Sequence, residues 1–82
     1  MADREAASNV LWYALEENEE DNVDEVKRLV EEEGADPNWR PNKGFTTNTA
    51  RSAAHGHVRS LRLLFKHGGD VNILGIVHLE QR

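Results

Sequence analysis

Apolar residues recur along this chain with the spacing of helical faces. Val26, Leu29 and Val30 fall at i, i+3 and i+4, and Val58, Leu61, Leu64 and Phe65 repeat such a stripe further on. Upstream, Val10, Leu11, Ala14 and Leu15 predict a third apolar face around Trp12, with Asp3 placed to cap its start. Asn22 followed by Glu25 is a capping-box-like opening for the helix carrying Val26. Gly34 and Gly68 close the two similar stripes, because the residue after a helix commonly adopts positive φ. Lys66 and His67 stand in the last turn of the later helix, where positive charge suits the helix dipole. Residues 16–21, Glu-Glu-Asn-Glu-Glu-Asp, read as an exposed charged extension. Residues 38–44 contain Pro41 and Gly44 and predict a turn or short hairpin. The small, weakly apolar stretch 46–54 predicts a short inner helix capped by Thr46, Thr47 or Asn48.

A shift of 34 residues lays Arg28, Leu29, Gly34, Asp36 and Asn38 on Arg62, Leu63, Gly68, Asp70 and Asn72. These are five identities in the eighteen positions 21–38, where chance gives about one. An internal repeat follows, and with it a fold built by stacking similar units.

Residues 56–72, Gly-His-Val-Arg-Ser-Leu-Arg-Leu-Leu-Phe-Lys-His-Gly-Gly-Asp-Val-Asn, resemble the second half of an ankyrin repeat, G-H-x-x-V-V-x-L-L-L-x-x-G-A-D-x-N. Residues 22–38, ending Gly-Ala-Asp-Pro-Asn, resemble the same half of a preceding repeat, and the step from Asn38 to Gly44 has the length of the family's hairpin. The resemblance implies an all-α fold: a short ankyrin-type stack of helix-turn-helix repeats with a hairpin-like loop between them. It divides the chain into a capping repeat with an acidic extension (1–38), a second repeat (39–72) and a divergent tail (73–82). Three features depart from the family. Thr46-Thr47-Asn48-Thr49 stands where it has Thr-Pro-Leu-His, one extra residue lies between Gly44 and Gly56, and no third repeat opens after Asn72. The apolar tail 73–79 is then expected to fold back as a lid or to join a weak homodimer.

Charge divides the chain. Residues 1–39 hold 13 acids and 3 bases, whereas 40–82 hold 2 acids and 7 bases. Neighbouring elements of opposite sign are therefore expected to attract. With 82 residues, no cysteine and no long apolar run, the chain is expected to be one small domain, held by packing alone and not crossing a membrane. The start lacks the basic and apolar pattern of a secretory signal, which points to the cytoplasm or nucleus.

No nucleophile elbow, phosphate loop or metalloprotease pattern occurs, so neither catalysis nor a cofactor is expected. His55 and His57 are too close in sequence to share a helical face as metal ligands, and His78 lies in the tail. The resemblance gives His57 a structural role in the turn between helices. Arg51, Arg59, Arg62 and Lys66 are basic, but the acidic first half and the lack of interleaved aromatics argue against nucleic acid. The expected partner is a protein. Carried over from the family by position, the binding tip is Trp39, Arg40, Asn42 and Lys43, and tryptophan and arginine are enriched at interface hot spots. Trp39 could equally cover the join between repeats. One ring of the pair Trp12 and Tyr13 is expected to close the end of the core.

Overall fold

The structure, a computed structural model, describes residues 3–17 and 20–71. These form four α-helices and no strand: α1 (Arg4–Glu17), α2 (Val23–Glu31), α3 (Asn48–Ala54) and α4 (Val58–Lys66). The described part is all-α. None of the helices is long and apolar enough to cross a membrane.

Local chemistry sets the helix ends. Asp3 Oδ1 accepts from the amides of Glu5 (3.0 Å) and Ala6 (3.3 Å) and opens α1. Asn22 Oδ1 accepts from Glu25 N at 3.3 Å, and Thr47 Oγ1 from Ala50 N at 3.2 Å, opening α2 and α3. Gly34 and Gly68 have φ of 78° and 96°, the left-handed values expected of them. After α4, Gly68 N donates to Phe65 O and Gly69 N to Leu64 O, the double bond pattern of a Schellman turn. The chain after α3 makes the same pair of bonds, Gly56 N to Ala53 O and His57 N to Ser52 O.

Two helix pairs, α1/α2 and α3/α4, lie side by side, with α1 against α3 and α2 against α4. The core joins Ala7, Leu11 and Leu15 of α1 to Val26, Leu29 and Val30 of α2, with Ala35, Leu64 and the flank of Leu63. Several positions depart from the sequence pattern, Ala14, Leu61 and Phe65 being only half-buried and outside the core. Val10 (52% exposed) and Val58 (53% exposed) lie on outer faces, while Ala7 and Leu63 take part in the core. Periodicity marks an apolar stripe but not which part of it a neighbour covers, and α4 turns its Ser60 and Leu64 inward. The tail 73–82, with its expected lid or dimer contact, lies outside the described residues.

Asp21 is not simply part of an exposed acidic run. Its carboxylate reaches the start of α4, accepting from Arg59 N at 2.6 Å and Ser60 N at 3.2 Å, and from the Ser60 hydroxyl. It caps that helix because His57, at the cap position, makes no side-chain cap bond of its own. The His57 ring is buried and its Nε2 donates to Leu15 O near the end of α1 (3.1 Å). The turn before α2 thus serves α4, and the turn before α4 serves α1.

Opposite charges do meet across the halves in Arg51 with Glu16, and His67 Nε2 hydrogen-bonds Glu31 at 2.9 Å. Other pairs, Arg4 with Asp36 and Arg28 with Glu33, lie within the acidic half.

Partial burial pushes the Asp21 pKa up, but the Ser60 hydroxyl, the Arg59 and Ser60 amides and the nearby His57 ring outweigh it. The group is held below the ordinary carboxylate value. A lowered folded pKa contributes stability that is present above the unfolded value and lost as pH falls through the folded one. Asp21→Ala should therefore cost about 1–2 kcal/mol near neutral pH. The difference should begin to shrink below the ordinary carboxylate value of about 3.9, where the unfolded chain takes up the proton, and vanish at lower pH as the folded carboxylate follows. Urea melts of both proteins at several pH values check this.

Candidate functional site

The inter-pair loop is shaped by its own side chains and by α3. Asn42 Oδ1 accepts from Gly44 N at 2.9 Å, and Phe45 N donates to Asn42 O at 3.1 Å, forming a tight turn. Asn38 N bonds Asp36 Oδ1 (2.9 Å), and Trp39 N bonds Asp36 O (3.1 Å). At the other end Asn48 N donates to Trp39 O and Thr49 N to Pro37 O, each at 2.9 Å. The Asn38 amide then ties the loop to the end of α4. Its Nδ2 donates to Gly68 O (2.9 Å) and its Oδ1 accepts from Asp70 N (2.8 Å).

This frame positions an aromatic cluster. Trp12 of α1 is the buried centre, 4% exposed. Trp39 and Phe45 approach it edge-on, with ring centroids at 6.3 and 6.0 Å and interplanar angles of 72° and 89°. The Arg51 guanidinium lies 3.9 Å from the Trp12 ring centroid, in cation–π contact. Arg51 Nε also donates to Trp12 O at 3.0 Å, and its other end pairs with Glu16. With only 12% of its side chain exposed, Arg51 is an internal clamp and not one of the solvated cations. Arg59, Arg62 and Lys66 are exposed on α4.

The four residues expected at the tip sit in different surroundings. Trp39 is half-buried against Trp12 and so covers the join, with part of its ring area still open. Arg40 and Lys43 are exposed. Asn42 is exposed as well, but its carboxamide oxygen is spent on shaping the turn. Of the pair Trp12 and Tyr13, Trp12 is the buried ring, and Tyr13 stays 54% exposed. Phe45 carries no expectation from the sequence, yet it packs on Trp12 with 51% of its surface exposed. The signal was there, an aromatic two residues after Lys43 in a turn without acids. Arg51 had no such signal, because its partners lie 35 and 39 residues away.

His55 and His57 stack, with ring centroids 6.0 Å apart and planes at 21°, but they point to different tasks. His57 holds α1, and His55 is exposed. Among the described residues no group of three or more His, Asp or Glu is arranged to hold a metal ion. His78 lies outside the described residues.

Arg51→Met keeps much of the stem over Trp12 but removes the cation and its hydrogen bonds. It should lower stability by about 1–3 kcal/mol and shift tryptophan emission to the red as Trp12 gains water. Phe45→Ala should cost under about 1 kcal/mol, since its ring is half in solvent already. Urea denaturation followed by fluorescence measures both. No protein-family model, curated protein or solved structure matches this chain.

Proposed function

We propose that the chain is a short ankyrin-type stack of helix pairs that binds a partner protein, without catalysis, through its inter-pair loop and inner helices. The observation that carries this reading is the loop itself. It presents Trp39 and Phe45 against the Trp12 ring, and the same loop carries the exposed Arg40 and Lys43. Its backbone is already ordered by the Asp36, Asn42 and Asn48 bonds, so little ordering cost is left for binding. Half-open aromatic rings and arginine are the groups that carry most interface energy. The like-against-like packing of α1 on α3 and α2 on α4 agrees with the repeat stacking that the 34-residue period implies.

A second reading has its own observation. On α4, Val58 is exposed, and Leu61 and Phe65 are half-exposed, on one apolar stripe. Such a stripe suits another layer, from a longer ankyrin-repeat protein of which this is a fragment with a structural or regulatory role, or from a second copy.

Arg40→Ala/Lys43→Ala changes only exposed side chains and should melt within a few degrees of the parent. Under the first reading, a protein captured by the intact chain is lost to this variant and to Trp39→Ala. Equal capture by all three removes it. Sedimentation separates the second reading, which expects a dimer that dissociates on dilution and is broken by Leu61→Glu.

A further inference from the structure

We infer that the surface of Trp39, Phe45, Arg40 and Lys43 takes an acidic peptide segment carrying an apolar anchor residue. This rests on the protein-binding reading and adds the partner's chemistry. The anchor seats against the two rings, and the acids face the two cations.

Charge complementarity is the first argument. Residues 38–47 contain Arg40 and Lys43 and no acid, in a chain whose net charge is −5. The acids that the structure connects to this cluster are engaged elsewhere. Glu16 is on Arg51, and Asp36 meets Arg4 and the Asn38 amide. Among the described residues neither Arg40 nor Lys43 has a salt-bridge or hydrogen-bond partner. The loop is therefore a basic spot on an acidic molecule, and it attracts an acid from outside.

The apolar part of the surface is the second argument. Phe45 keeps 51% of its area in solvent although a tight turn holds its backbone and Trp12 supports its ring. A ring held this firmly and left open offers desolvation energy without a large ordering cost. Together the two features select a short segment with a few acidic side chains and at least one large apolar side chain.

A polyanion would also meet Arg40 and Lys43, but it fits less well. Two cations neutralise few phosphates, and the 13 acids of residues 1–39 repel an extended anionic strand or membrane surface. A short peptide with two or three acids escapes most of that repulsion.

The test is selection of a random dodecapeptide display library on the intact chain, followed by anisotropy titration of the most enriched peptides. The expected result is enrichment of Asp or Glu within a few positions of Trp, Phe or Leu. Affinity should fall about fivefold or more in Arg40→Glu/Lys43→Glu, and in ~0.5 M salt, with the variant still melting cooperatively. Phe45→Ala should weaken the same peptides. Acidic peptides indifferent to the charge reversal overturn the inference. Neutral or basic peptides that depend on Trp39 and Phe45 also overturn it, while leaving protein binding intact. No enriched peptide at all counts against both readings. Phosphatidylserine vesicles and a single-stranded oligonucleotide are titrated alongside, and tighter binding of either than of the peptides overturns the acidic-peptide assignment.

Discussion

The fold depends on one constraint: backbone polar groups outside the helices must find partners, and for the buried linker these come from side chains of both helix pairs. Ala35 and Pro37 are buried in a linker that forms no strand, so its amides and carbonyls cannot be left to solvent. Ser8 Oγ of α1 accepts from Asp36 N at 2.7 Å. Asn48 Nδ2 of α3 donates to Asp36 O at 3.1 Å, and Thr49 Oγ1 to Pro37 O at 2.8 Å. The helix ends follow the same rule, with Asp21 on the amides of α4 and His57 on a carbonyl of α1. Helices of 7 to 14 residues are marginal alone, and these exchanged caps make each pair a condition for the other.

A polar seam of this kind replaces part of an apolar core. Ser8, Asn48, Thr49, Ser52 and Ser60 are all fully buried, where hydrophobic packing would have been less specific. Asn48 Nδ2 also reaches Ser8 O at 3.3 Å, and this fixes the carboxamide's orientation. Turning it over would set Oδ1 against two carbonyls. The cost is visible in that same Oδ1, which is buried without a protein donor among the described residues. Close packing around the seam is equally demanding: a Cβ added at Gly69 would lie 2.5 Å from Thr49 Oγ1 and 2.9 Å from Leu64 O.

What the sequence made legible was what a few neighbouring residues decide. Asn22 and Asp3 as caps, Gly34 and Gly68 as stops, and Thr47 among three candidates for the α3 cap are local chemistry, and the structure has them. The stripes of α1 and α4 were half legible. Leu11 and Leu64 are buried, but Val10 and Val58 are not, because the covering neighbour is chosen by tertiary packing. The candidate site divides in the same way. Arg40 and Lys43 could be placed on an open loop from Pro41 and Gly44. The Trp12 platform, the Arg51 clamp and the service of Asp21 to α4 could not, since each joins residues far apart along the chain, Trp12 with Trp39 and Phe45, Arg51 with Trp12 and Glu16, and Asp21 with Arg59, with no spacing rule between them.

That division bears on how the surface works. Trp12 belongs to the first helix pair, Arg51 to the second, and Trp39 and Phe45 to the loop between them, so the cluster exists only while the pairs are stacked. A ligand seated on Trp39 and Phe45 therefore binds the stacked state and not a chain whose pairs have parted. By mass action its binding free energy adds to stacking, and any residue that holds the pairs together contributes indirectly to affinity. Asp21, Asn38 and His57 touch none of the rings, yet each bonds one pair, or the linker, to the other pair. In a domain with so small a core, these hydrogen bonds govern how much of the population offers the surface at all.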